Sequence, residues 1–202
     1  MKAAAEVQQV RADVWFWQAY ETSVKTDLSC CAVATLPGLV FLDPIPLAAE
    51  ALSELTAQKT PVAIILTNAN HERAAAKFRE KFGVPIYAHR EAQLDFSVTV
   101  DHFIEENETL LETFTPVTLP GFAAGEIALH HAADGGAFFI GDALIHVASH
   151  GFVPLPAKYC AEPKLARRSL QKLLQFDFEL MTFAHGFPIT TGAKKRLATL
   201  LA

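Results

Sequence analysis

Two rhythms of apolar and polar positions divide the chain. In the first half, aromatic and β-branched residues crowd positions 14–20 and 28–36 with a polar break between them, which predicts an opening hairpin of two strands. Pro37 and Gly38 turn the chain into a strand over 39–43. Pro44 and Pro46 then start a helix whose Leu47, Ala51, Leu52 and Leu55 share one apolar face, closed by Lys59, Thr60 and Pro61. The run 62–66 has no polar position and reads as a strand buried on both faces. Ala74, Phe78 and Phe82 recur at four-residue spacing and predict a helix over 71–82, ended by Gly83, before a strand at 84–88. Two consecutive β-α-β units follow from this, and they require a parallel sheet.

After Ala92 the rhythm shortens. Strands are predicted at 97–103, 112–119, 126–131 and 137–140, with Asp134, Gly135 and Gly136 as a hairpin turn, so this half reads as an antiparallel meander. Residues 141–157 are irregular and rich in His, Gly and Pro, as suits a loop lining a site. Pro163 begins a helix with Leu165, Ser169, Leu170 and Leu173 inward; 178–183 is a strand; Thr190 or Thr191 caps a last helix through Leu201. There is no repeat, low-complexity segment or linker, and one domain spanning 1–202 is the expectation.

Composition narrows the function classes. With 51% of its 202 residues apolar, the chain can build a sizeable core. A net charge of -5 without a Lys/Arg run argues against nucleic acid or an anionic membrane as partner; the pairs Arg167-Arg168 and Lys194-Lys195 fall in helical patterns and read as solvated faces. Three Cys, two of them adjacent at Cys30 and Cys31, make neither a disulfide framework nor a thiolate metal site. With no apolar leader or long apolar run, the expectation is a cytoplasmic protein. Adjacent Trp15, Phe16 and Trp17 place aromatic groups on both faces of a strand, leaving one face available as a homodimer interface.

Chemistry concentrates where strand 62–66 meets the next helix. The carboxyl end of such a strand faces the crevice in which α/β sheets bind ligands, and this one delivers Asn68, Asn70, His71, Glu72 and Arg73 together. Helix capping accounts for Asn70 and Glu72 without any site. It leaves His71 and Arg73 unexplained.

The order of elements and the residues at strand ends resemble the metallo-β-lactamase superfamily, an αββα sandwich of two sheets between helices. The resemblance spans nearly the whole chain: Gly38-Leu39-Val40-Phe41-Leu42-Asp43, the 67–73 turn, Pro120-Gly121-Phe122-Ala123-Ala124-Gly125, Ile140-Gly141-Asp142, and Ala184-His185-Gly186. The family's metal turn reads Thr-His-x-His-x-Asp-His. Aligned on Thr67, this chain has Asn68 and Asn70 at the two His positions, Glu72 at the Asp, Arg73 at the last His, and Phe122 in place of a later His. Amides and a phenyl ring cannot replace imidazoles on zinc, so ordinary two-zinc hydrolysis is excluded by ligand chemistry.

What the resemblance leaves is Glu72, the bridging-type Asp142, and His185. Two charge arrangements compete for them. Arg73 can pair with Asp142 or Glu72 and stand where a metal would, giving a site without a cofactor; or one divalent ion, Zn, Mn or Fe, can sit on Glu72, Asp142 and His185. The first implies a residual pocket in which Asn68, Asn70, Glu72 and Arg73 hold a small anionic ligand. The second keeps hydrolase chemistry, with one metal or with His185 or His71 moving a proton and Asp142 orienting it. A non-catalytic interaction protein is the third class. His89, His146, His150, the pair His130-His131 and Cys160 are secondary candidates, each more simply an ordinary surface or core residue.

Overall fold

The computed structural model describes residues 1–106 and 108–202. The first sheet takes its strands in chain order: β1 (Gln8–Arg11), β2 (Val14–Glu21), β3 (Thr26–Ala34), β4 (Leu39–Leu42), β5 (Pro61–Leu66), β6 (Ile86–His89) and β7 (His102–Ile104). β1 to β4 meander antiparallel, and β4 to β7 run parallel. The β4-β5 and β5-β6 crossovers carry α1 (Ala49–Gln58) and α2 (Ala75–Phe82), as the two β-α-β units require.

The second sheet has the order β13-β10-β9-β8, built from β8 (Phe114–Thr118), β9 (Ile127–His131), β10 (Ala137–Ile140) and β13 (Leu180–Phe183). β8, β9 and β10 are antiparallel, and β13 joins β10 in parallel. A small hairpin of β11 (Leu144–Val147) and β12 (Gly151–Pro154) follows β10, and α3 (Pro163–Ser169) and α4 (Ala193–Leu201) complete the chain.

Alternation along each strand sorts the side chains into three apolar layers. Phe16, Cys31, Val33, Val40, Leu42 and Ile65 from the first sheet meet Phe114, Ile127, Leu129, Phe139 and Leu180 from the second. On the outer faces, Trp17, Phe41, Ile64 and Leu66 pack under α1 and α2, and Phe138, Ile140, Met181 and Phe183 pack under α3 and α4. This is the αββα sandwich.

Several local expectations give way to backbone pairing. The helix expected from Pro44 begins only at Ala49, because the preceding residues lie extended beside Ala4, whose N–H bonds Pro46 O at 2.9 Å while Ala48 N–H bonds Ala4 O at 2.9 Å. α2 begins at Ala75 rather than His71. Arg73 sits at φ 41°, a left-handed conformation that a helix cannot contain, and 68–74 is a run of turns in which His71 N–H reaches Asn68 O at 3.2 Å. Asn70 therefore caps no helix.

β7 belongs to the first sheet, not to a meander, because Asp101 exchanges bonds with Ile86 through its backbone N–H (2.9 Å) and its carboxylate (2.8 Å). The loop at 141–157 contains the β11-β12 hairpin, and Gly192 rather than a threonine precedes α4. Trp15, Phe16 and Trp17 are all buried, with Trp17 Nε1 donating to Ile45 O at 3.1 Å, so the aromatic face expected to be open is covered within the chain. Among the described residues no helix is long and apolar enough to cross a membrane.

Candidate functional site

The carboxyl ends of β4, β5, β10 and β13 converge on one edge of the sandwich, and each contributes polar residues where its apolar run stops. Asp43 ends β4 in a left-handed turn at φ 50°. Its carboxylate accepts Thr67 N–H at 2.8 Å, the Thr67 hydroxyl at 2.6 Å and His71 Nδ1 at 2.9 Å. The turn after β5 thus swings the His71 ring inward, to 2% exposure. Its other nitrogen, Nε2, lies 3.2 Å from Asp142 Oδ1, and His185 Nε2 lies 3.1 Å from the same oxygen. His185 is fixed from behind by Nδ1 donating to Asp27 O at 3.0 Å.

Donor and acceptor chemistry fixes the tautomers. Asp27 O is a carbonyl and can only accept, so His185 Nδ1 carries the proton; Asp43, ionised, imposes the same on His71. Both imidazoles therefore turn Nε2 toward a single carboxylate oxygen. The approach from His71 is misaligned for an N–H bond, and His71 Nε2 and Asp142 Oδ1 are buried without a hydrogen-bond partner.

Electrostatics tighten the cluster. Burial acts to raise the Asp43 carboxyl, but His71, Arg73 and Thr67 outweigh it and hold it below the ordinary range. Burial likewise opposes the charge on Asp142, yet the two imidazoles hold its carboxyl well below the usual value. Burial and the Arg73 charge act to lower the His71 imidazole, and Asp142 and Asp43 overcome them, lifting it to about 9. A positive charge between the two aspartates is what this arrangement favours.

Beneath Asp142 lies a second buried carboxylate, Glu126. Its Oε1 accepts the N–H groups of Asp142 (2.8 Å) and Ala143 (3.0 Å), and its Oε2 accepts Asn68 Nδ2 at 2.7 Å. Burial and the neighbouring Asp142 charge push the Glu126 carboxyl well up, against the pull of those N–H bonds. Gly141 makes room for it: a Cβ there would stand 2.6 Å from Thr67 Oγ1 and 2.7 Å from Glu126 Oε1.

The remaining expected site residues lie elsewhere. Glu72 turns outward and binds the backbone and hydroxyl of Ser97, so it is not a companion of Asp142 and His185; His71, one residue earlier, takes that place. Arg73 pairs with neither Asp142 nor Glu72. Its guanidinium donates to Ser29 O (2.7 Å), Asp43 O (3.3 Å) and Ala184 O (3.3 Å), tying the ends of β3, β4 and β13 together. Asn70 is exposed, and its N–H bonds Asn68 Oδ1 at 2.8 Å. His89 accepts Glu91 N–H, His146 bonds Phe187 O, His150 bonds Ser149, and His130 bonds Asp177 O. Burial and the Glu126 charge push the Cys160 thiol up, which disfavours its thiolate. Asp43, Thr67 and Glu126 belong to the cluster although sequence reasoning did not assign them to it.

An αββα sandwich with a His/carboxylate cluster on the shared edge of its sheets defines a class, and comparison assigns the chain to it. The metallo-beta-lactamase superfamily model matches residues 7–202, and the chain belongs to that superfamily. Among solved structures it is similar to TTHA1623 in a di-iron-bound form, at 27% identity and a TM-score of 0.65 over 89% of this chain and 97% of that one. It is also similar to the BLEG-1 B3 metallo-beta-lactamase (22%, TM-score 0.65, 86% and 92% covered). The metallo-beta-lactamase from Pontibacter korlensis superposes at a TM-score of 0.76 with 15% identity, over 97% and 98% of the two chains. Comparison with curated protein sequences finds no match.

Proposed function

We propose that the protein is a hydrolase-type member of its superfamily that works with one divalent metal ion, held by His71 Nε2, Asp142 Oδ1 and His185 Nε2. One observation carries the reading: two imidazole nitrogens and an anionic oxygen converge at 3.1 and 3.2 Å, with His71 Nε2 and Asp142 Oδ1 buried and without a hydrogen-bond partner. At that spacing a positive charge is needed among them, supplied by a proton on His71 in the free site and by the metal ion in the loaded one. The three donor atoms all lie within 4.8 Å of one another, as the ligands of one small ion do.

Two imidazoles and one carboxylate, without thiolate, suit Fe²⁺, Mn²⁺ or Zn²⁺ and leave coordination positions free. The similarity to a protein solved with iron supports the same choice. Bound there, the ion would supply Lewis acidity toward water and a polar substrate bond.

The chain's own residues do the rest. Asp43 and Asp27 O hold the Nδ1 protons of His71 and His185, which keeps each Nε2 available and raises ligand basicity. The His71 proton favoured in the free site must leave Nε2 when the ion binds. His185 is the most open member, with 20% of its side chain exposed, so substrate enters from its side. Arg73, committed to three carbonyls, rigidifies the edge rather than holding an anionic ligand.

Chelator-treated protein titrated with Mn²⁺, Fe²⁺ and Zn²⁺ is expected to bind one equivalent per chain, and His71→Ala and Asp142→Ala are expected to bind none. Loaded protein should hydrolyse some members of a panel of esters, thioesters, lactams and phosphodiesters in a chelator-sensitive way. Absence of binding by the unsubstituted chain would overturn the reading.

A further inference from the structure

On the side of the site β3 outruns its neighbour, because β4 pairs with it only as far as Cys31. Residues 27, 29 and 31 turn their backbone groups to one edge of the strand, and past the end of β4 that edge is taken by the segment after β13. Ser29 N–H bonds Ala184 O at 2.8 Å, and Asp27 O receives the His185 ring at 3.0 Å. The Ser29 side chain closes the same contact. Its hydroxyl donates to Gly186 O at 3.0 Å and accepts Gly186 N–H at 3.2 Å, and the residue is fully buried.

Main chain on either side of His185 is therefore bonded to one residue of the opposite sheet. Arg73 secures that residue in turn, donating to Ser29 O at 2.7 Å and to Ala184 O at 3.3 Å. Without the hydroxyl, the N–H and O of buried Gly186 lose their partner, and the peptide that follows the imidazole must turn to satisfy them.

We propose that Ser29 is a positioning residue for His185: by holding both polar groups of Gly186, its hydroxyl keeps the imidazole turned so that Nε2 stays on Asp142 Oδ1. The consequence for metal affinity rests on the one-metal reading. The orientation of the ring does not.

The other end of the same strand supplies the comparison that tests this. Just past β3, the buried Thr35 hydroxyl grips Gly38 in the same way, donating to its O at 2.7 Å and accepting its N–H at 3.4 Å. Ser29→Ala and Thr35→Ala thus remove the same kind of bond, one beside the site and one roughly 20 Å along the strand from it. In metal-free protein, proton–nitrogen correlation NMR is expected to show His185 Nδ1–H as a slowly exchanging proton in the unsubstituted chain and in Thr35→Ala, and to lose it in Ser29→Ala. In titrations, Ser29→Ala is expected to bind Mn²⁺ about 10- to 100-fold more weakly, the usual effect of removing a group that orients a ligand, and Thr35→Ala with unchanged affinity. Should Ser29→Ala not fold, Ser29→Cys fills the same space with only a weak donor and acceptor, and the same resonance is read.

The resonance decides the proposal. A His185 Nδ1–H that is unaltered by the change at Ser29, lost equally in Thr35→Ala, or absent from the unsubstituted chain overturns it. If the unsubstituted chain binds no metal, the one-metal reading fails by itself and the resonance still decides the positioning role. If the resonance is lost while Mn²⁺ affinity holds, Ser29 positions a ring that is not a ligand, and it is the metal reading that falls.

Discussion

Two aspartate-histidine clusters stand at opposite ends of the sandwich, and they differ in how completely they are satisfied. At the far end, Asp13 takes both nitrogens of the Arg11 fork (2.6 and 2.9 Å) and His131 Nε2 (3.0 Å). Arg11 also reaches Ala133 O at 3.0 Å, and His131 Nδ1 accepts Ala133 N–H at 3.4 Å. Every atom has a partner of the correct kind with a neutral imidazole, and the cluster staples the β1-β2 turn to the β9-β10 turn. At the other end, His71 and His185 direct their Nδ1 protons to Asp43 and Asp27 O and turn both Nε2 atoms toward Asp142 Oδ1, and there His71 Nε2 and Oδ1 have no hydrogen-bond partner. The same residue types make a structural tie where donors match acceptors, and a candidate functional site where they do not.

The largest test of this contrast is Asp43→Ala. It strips the acceptor from Thr67 and His71 in a fully buried setting, and should lower unfolding free energy by about 3–5 kcal/mol, the scale for breaking a buried pair. Urea denaturation measures it. A loss under about 1 kcal/mol would show that the two ends are energetically alike.

Titration separates the ends by sign. His71 is lifted to about 9 from an ordinary 6.5, so in metal-free protein its contribution is complete below about pH 6.5 and fades as pH rises through 9. Asp13 behaves oppositely. Burial acts to raise its carboxyl, but the Arg11 hydrogen bonds and charge bring it below 3.8, so its contribution is present above that value and lost in more acidic solution. Thermal unfolding of wild type and of His71→Gln across pH 5 to 10 should converge at the alkaline end. A pH-independent difference would mean that His71 carries no charge in the free site.

The smallest effect expected is that of Asp13→Asn, about 1 kcal/mol, since its partners keep water within reach. Metal affinity should not change. Any change would mean that the two ends are coupled through the sheets.

The layered architecture was legible because its signals are periodic: an unbroken apolar run at β5, a four-residue stripe on α2, Gly-Gly at the β9-β10 turn. Asp142 and His185 were legible because each follows a strand in a short motif. The 68–74 turn was not. A helix drawn from 71 sends Glu72 and Arg73 inward, whereas the left-handed Arg73 and the His71-Asn68 turn rotate the side chains by one position and bring in His71 instead. Asp43 was seen only as the end of a motif, though a carboxylate closing an all-apolar strand needs a buried partner. Glu126 offered the same hint. It heads a strand whose next residues, Ile127, Ala128 and Leu129, are all buried, so it had no solvent side to face.

The hairpin after β10 bears on how freely this protein can change. β11 runs so close to Gly186 that a Cβ there would meet His146 O at 1.9 Å, and His146 N–H bonds His185 O at 3.0 Å while Phe187 N–H bonds His146 O at 2.9 Å. The seat of His185 is thus cut by main chain against main chain, with a glycine as its hinge pin. Any replacement of Gly186 displaces the imidazole, and Leu144, which is buried, and His146, whose Nδ1 bonds Phe187 O at 2.8 Å, are tied to the same seat, whereas the exposed residues 148–151 at the hairpin turn can be exchanged without moving it. On the proposed hydrolase reading, variation at that exposed turn is uncoupled from the chemistry at the centre, so the turn can drift toward new substrates while the histidine stays in register.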